Sequence, residues 1–408
     1  MRARPSVTAI ALAAFFVVVQ FYTSLAPLSP TPPVGYVFTS WPIAAALVGV
    51  LALGAAWCAV RLARERAAPP QPSRALLGAW IGTALVASLL GLDPRSGLQV
   101  VAVMLLAAAF HLGLVRYYAE RGVARAVLWT YLWAGLGASV AALVMLALRE
   151  PAPLFALNHG RAAGFFVTAN QFAAFLIVFA YVALGVALAA RGGLRVLAAG
   201  CVICAVVALG ATFSQAGALG AAAGALFFAF ASGARRTGAV LALVCALGAA
   251  LFALHPLARH DPADTFDRLR TWGAGLRVAE LFPLTGVGPM AYWRVYPSIR
   301  PPNGDLPGTF GALHPHDVYL SLAGETGAVG IAALAYGWWR VGAAVRGSLR
   351  RRARRERFLA LGVCAGLFAA LVQGVFDTIG IVQMSFVWIP YTALALAAAD
   401  AGLPADAP

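Results

Sequence analysis

Runs of about twenty predominantly apolar residues, divided by shorter polar stretches, make up most of this chain. There are twelve of them, at roughly 6–24, 41–63, 75–92, 97–117, 126–148, 169–190, 194–212, 216–233, 238–256, 317–343, 357–376 and 379–399. A helix of that length matches the ~30 Å hydrocarbon layer of a bilayer, so each run predicts a membrane-crossing helix. One polar stretch, 257–316, is proline-rich and too long to be a turn. The pattern predicts an all-α polytopic membrane protein of about twelve helices, with a long, partly helical loop between the ninth and tenth. Residues 1–256 carry the first nine helices, 257–316 the loop, and 317–408 the last three helices and a short tail. Long loops on a compact bundle usually carry function, since short ones suffice for connection.

Composition strengthens this reading. At 62% hydrophobic and 11% charged residues, the chain has too little polar surface for a soluble domain. Its net charge of +15 comes from arginine alone, with no lysine. With the N-terminus on one side, the short loops of that side and the two ends hold 21 arginines, including the group from Arg340 to Arg357. The short loops of the other side hold three, Arg95, Arg149 and Arg161. The positive-inside rule then places both termini in the cytoplasm and the 257–316 loop outside. Arginines that flank apolar runs serve topology and anionic headgroups, which removes nucleic acid as a partner. The first run is longer than a signal-peptide core and is expected to remain as a helix. Cys201 and Cys204 form a CxxC inside an apolar run, where small packing residues are expected rather than a metal or redox pair. Gly220 and Gly224 predict a close helix contact.

The exterior loop carries Arg259, Arg268, Arg270, Arg277, Arg294 and Arg300. A helix is predicted from Asp264 or Thr265, with Phe266, Leu269, Trp272 and Leu276 as an apolar stripe suited to the bilayer or bundle surface. Arg270 and Arg277 share a face of it, two turns apart. Guanidinium groups bind phosphate oxygens through paired, charge-assisted hydrogen bonds. The competing reading is a solvated face paired with Asp261, Asp264, Asp267 and Glu280. Three aspartates at three-residue intervals also suit a helix N-terminus, so no metal is assigned to them and no cofactor is expected.

Where the loop meets the tenth run, the chain reads Leu313-His314-Pro315-His316-Asp317-Val318-Tyr319. Imidazole accepts a proton near neutral pH, which makes His316 the candidate general base, flanked by His314 and Asp317. The alternative is that His316 and Asp317 merely cap the next helix. Glu325, two turns further on, is expected to face a cavity or an arginine. No glycine-rich phosphate loop, GxSxG or acidic pair for a nucleotide-sugar metal complex is present.

His316-Asp317, followed after nine residues by Gly327-x-x-Gly330, resembles the signature of the bacterial O-antigen ligases and their relatives among polysaccharide polymerases and protein O-glycosylating transferases. Asp317 stands where that family usually has Asn, Ser or Gln. Three further segments are similar to family segments. They are Pro283-Leu284-Thr285-Gly286-Val287-Gly288 preceded by Arg268 and Trp272, Arg161-Ala162-Ala163-Gly164 followed by Asn170, and Thr212-x-Ser214-Gln215-Ala216-Gly217. In the last, Gln215 replaces an arginine. The resemblance implies a periplasmic site that moves a glycan from undecaprenyl diphosphate to a hydroxyl of lipid A–core or of a growing glycan, with inversion and without metal. Arg161 and Arg268, together with Arg270 or Arg277, would hold the diphosphate, with His314 and Asp317 beside the substrate and His316 as base. The implied location is the bacterial inner membrane. A lipid-linked-sugar transporter is the rival class, but it predicts more ionisable residues at mid-membrane than His111 and Glu325.

Overall fold

The computed structural model describes residues 6–18, 41–66, 68–233, 240, 262–299, 314–376 and 381–403. Among them there are helices and no strands. In chain order these are α1 Val7–Val18, α2 Trp41–Glu65, α3 Gln71–Leu90, α4 Pro94–Tyr117, α5 Val123–Leu148, α6 Ala152–Leu157 and α7 Ala169–Ala189. Then come α8 Gly192–Ala211, α9 Gln215–Ser232, α10 Pro262–Leu281, α11 Tyr292–Ile299, α12 Val318–Arg350, α13 Phe358–Gln373 and α14 Ile381–Ala401.

Nine helices among the described residues are long and apolar enough to cross a membrane. They coincide with predicted runs two to eight, ten and eleven. On the first run the described helix is the shorter α1, and α14 lies on the twelfth. The ninth, 238–256, falls outside the described residues apart from position 240.

Helices α7 and α13 form the centre. Their crossing is set by small residues: a Cβ on Gly185 would lie 2.6 Å from the Phe358 carbonyl oxygen. The predicted close contact at Gly220 and Gly224 is present, facing Ala369 on α13 and Tyr181 on α7. Cys201 is buried, Cys204 half-buried, and neither is in a disulfide. A buried polar staple crosses three helices, with His111 of α4 bonded to the Ile389 carbonyl (2.8 Å) and the Ser73 hydroxyl (2.9 Å).

The loops divide between two ends of the bundle. At one end Arg61 pairs with Glu120 at 2.5 Å, and Arg116 pairs with Glu65. At the same end Arg355 donates to the Ala189 and Ala190 carbonyls, at 3.0 and 2.6 Å. A cation there complements the carbonyl-rich C-terminus of α7. The other end gathers the 91–93, 158–168 and 212–214 loops with α10, α11 and residues 314–317.

Candidate active site

The two glycine-bearing segments singled out in the sequence are two sides of one seam. Helix α12 breaks at Gly327, where φ is 66° and ψ −170°, backbone territory open only to glycine. The break takes Gly324, Glu325, Ala328 and Val329 out of the helical ladder, and buried backbone groups need partners. The 283–288 loop supplies them. Val287 donates to Gly324 O at 2.8 Å and Gly288 to Glu325 O at 3.1 Å. In return Ala328 donates to Pro283 O at 2.8 Å and Val329 to Leu284 O at 3.2 Å. A Cβ on Gly286 would overlap the Glu325 backbone, and one on Gly327 the Leu284 backbone. The Met290 N–H also reaches the Glu325 carboxylate, whose Oε2 is buried without a further partner.

The seam is fixed to the bundle at the end of α3. Leu92 donates to Val287 O at 2.8 Å, and Arg294 grips Asp93 Oδ2 through Nε (2.9 Å) and Nη2 (2.7 Å). Asp93 also caps α4 through Ser96. Burial works to raise the Asp93 carboxyl, but the bonds from Arg294 and Ser96 outweigh it and hold it below the ordinary carboxylate range.

Helix α10 runs beside the first nine residues of α12. Gly275 packs on Pro315 and Leu320, and Gly324 on Val278. Its buried face is Thr271, Ala274, Gly275 and Val278. Of the expected stripe, Leu269 and Leu276 are 54% and 52% exposed and turn away from the bundle, which leaves the bilayer of the two surfaces expected for them. The small residues win the interior because the half-helix approaches too closely for leucine. Helix α10 starts at Pro262, ahead of the expected cap at Asp264 or Thr265, so both of these fall inside its first turn; Asp261 and the side chains of Phe266 and Asp267 lie outside the described residues. No group of three or more metal-ligating side chains occurs among the described residues.

The face of α10 that turns inward positions Arg268. Its Nη1 donates to the Phe376 carbonyl at 3.0 Å, while Nε is buried with no partner. An unmade bond to a buried donor costs ~1–3 kcal/mol. Beside it is a cavity of about 160 Å³ lined by Asn170, Gln215, Ala216, Leu219, Arg268 and Phe376. Asn170, Gln215 and Ala216 belong to the first turns of α7 and α9, capped by Thr168 and Ser214. Two helix N-termini and a guanidinium thus meet at one small cavity, an arrangement that favours an anion.

Arg161 stands one layer behind. It donates to Asn170 Oδ1 and to the Thr212 carbonyl, each at 2.8 Å, and so ties the two helix entries together. Gln373 holds Asn170 from the other side, at 2.9 Å to its carbonyl. Trp272, one turn beyond Arg268, lies 6.2 Å from the Phe376 ring and donates to the His316 carbonyl at 3.4 Å.

His316 has a left-handed backbone, φ 52°, and its ring stands edge-on to His314 at 4.4 Å. Asp317 caps α12, its Oδ1 accepting from Tyr319 (2.7 Å) and Leu320 (2.8 Å). Burial lifts the Asp317 carboxyl above the ordinary range, against the pull of those two bonds. Val318 donates to Gly374 O at 2.8 Å, which places His316 next to the 374–376 turn that bounds the cavity.

The structure therefore brings Arg161, Arg268, His314, His316 and Asp317 into one neighbourhood. It places Arg270 and Arg277 elsewhere, exposed on the outer side of α10, with Arg277 paired to Glu280 at 3.1 Å. Gln373 and Phe376 were not anticipated; their only sequence signal is a polar residue and a turn at the end of an apolar run. Arg259 and Arg300 lie outside the described residues.

Residues 176–335 match the family model for O-antigen ligase. That match supports assigning the chain to the O-antigen ligase and polymerase family. The match takes in Gln215, Arg268, Trp272, His316 and the whole seam, and with the helical fold it supports a membrane glycosyltransferase of the ligase or polymerase type. No curated protein matches the chain.

Proposed function

We propose that this protein transfers a glycan from undecaprenyl diphosphate to a hydroxyl acceptor, lipid A–core in the first instance, at the periplasmic face of the bacterial inner membrane. The observation that carries this reading is the buried, partnerless Nε of Arg268 beside a cavity lined by the entries of α7 and α9. A diphosphate oxygen would satisfy that donor, and the helix N-termini would add field of the right sign. Leu219, on the cavity wall, is half exposed on the outer surface of the bundle, which suits a donor whose lipid tail stays in the bilayer.

In the reaction the acceptor oxygen attacks the anomeric carbon as the bond to the diphosphate oxygen breaks. The leaving group keeps the electron pair, and inversion follows from a single displacement. His316 takes the acceptor proton, while Arg268, steadied by Trp272 on the same helix, neutralises the leaving diphosphate. Arg161 keeps Asn170 facing the donor, and His314 and Asp317 fix the backbone that presents His316. No metal is needed, because the arginine supplies the countercharge. The arginine-rich end of the bundle is cytoplasmic, both termini with it, and residues 257–316 form the periplasmic loop between the ninth and tenth of twelve spans.

A polymerase differs only in its acceptor. Purified protein given an undecaprenyl diphosphate-linked glycan and either lipid A–core or a second copy of the glycan separates the two. Transfer to lipid A–core supports the ligase, and lengthening of the glycan makes the protein a polymerase. Folded protein that transfers to neither refutes both.

A further inference from the structure

Arg270 and Arg277 are on the same helix as Arg268 yet turn away from the cavity, and the leucines beside them turn with them. We propose that this outer face of α10 is a docking surface for the anionic phospholipid headgroups of the leaflet on the site's side.

Length supports the location. Helix α12 has 33 residues, ~50 Å, which exceeds the ~30 Å hydrocarbon layer by a wide margin. The part after Gly327 crosses the bilayer alone, so the half-helix before the break is surplus to the span. Both its ends contact the ends of other spans. Val318 bonds to Gly374 just past α13, and Glu325 bonds to Gly288, which packs on Gly91 just past α3. The half-helix therefore runs along the rim of the bundle at the membrane boundary. Helix α10 and the turn after it lie alongside, with Trp272 of the helix at His316 and Leu284 of the following loop at Val329.

The exposed face has the composition of an interfacial helix. On the helix Leu269, Leu276 and Leu281 are 54, 52 and 49% exposed, and Leu284, in the loop after it, is 68% exposed. Arg270 and Arg277 each follow a leucine directly, so an apolar line and a cationic line run side by side. Acyl chains take the first and headgroup phosphates the second, with the arginine stems reaching outward. Glu280 pairs with Arg277 at 3.1 Å and offsets part of that charge.

The inference does not rest on the transfer chemistry, and its test needs no activity. Full-length protein is placed in nanodiscs of phosphatidylcholine, alone or with phosphatidylglycerol, and amide hydrogen exchange is followed over 269–284. Exchange there slows several-fold with phosphatidylglycerol, the slowing disappears in molar salt, and Arg270→Gln/Arg277→Gln removes it with exchange in α7 unchanged. Leu269→Ser/Leu276→Ser raises exchange over the same peptide in both lipids. Equal exchange in the two lipids, or slowing that survives the double arginine variant, overturns the proposal. So does slowing produced only by a phosphorylated glycolipid, which would make the face a ligand site.

Discussion

Arg268 and Arg355 are both partly buried arginines that hold a carbonyl just beyond a helix, at opposite ends of the bundle. Arg355 makes two such bonds, at Ala189 and Ala190, and finishes α7. Arg268 makes one, at Phe376, and keeps a buried donor unused beside a cavity. Under the proposed function, the difference separates an arginine that completes a fold from one held ready for a ligand. Charge count alone does not reveal it, because both ends hold arginines whose carbonyl bonds or ion pairs are already made.

That contrast is open to direct attack. Arg268→Ala should lower the second-order rate of transfer ~10²–10³-fold, the range for losing one donor to a developing anion. Arg355→Ala should lower the melting temperature while folded protein transfers at the normal rate. Equal effects on transfer would erase the distinction.

The seam offers the next largest effect. Gly327→Ala places a Cβ in a glycine-only conformation and against the Leu284 backbone, costing at least ~1–3 kcal/mol in backbone strain alone. A folded variant of undiminished thermal stability would mean that the 283–288 loop does not seat in the break. At the half-helix entry, Asp317→Ala should cost ~1 kcal/mol by loss of the cap, and Asp317→Asn much less, because an amide oxygen still accepts. If Asn is as damaging as Ala in transfer but not in stability, the carboxylate has a chemical role beyond capping.

The smallest effect is that of acid. Asp93 has its carboxyl held low in the fold, so its contribution is complete above the ordinary carboxylate range and is lost as pH falls through its folded value. Asp93→Asn should flatten the acid limb of the stability curve, and an unchanged limb would remove the Arg294 latch from the account.

Much of this was legible in the chain. Apolar runs of bilayer length marked the helices, and the four segments that resemble the family meet around the cavity and seam. Gln215, flagged as standing in place of an arginine, lines that cavity, so the departure lies at the site itself. Other features were hidden for physical reasons. Hydropathy runs unbroken through Gly327, because a backbone break filled by another backbone segment leaves no polar trace. On α10 the sequence left open whether the leucines face the bundle or the bilayer, and they turn away from the bundle. Beside lipid a leucine gains little from burial, while Thr271, Ala274 and Gly275 permit close approach. Arg268 and Arg270 look equivalent in sequence, and only the turn of the helix separates cavity from rim.

The most direct test of the central claim is single-turnover transfer by His316→Ala, with donor bound in advance and folding confirmed. The account predicts a fall of ~10²–10⁴-fold in the transfer step with donor binding intact, as expected for loss of a general base. Transfer at the full rate would contradict it and return His316 to the role of a helix-entry residue.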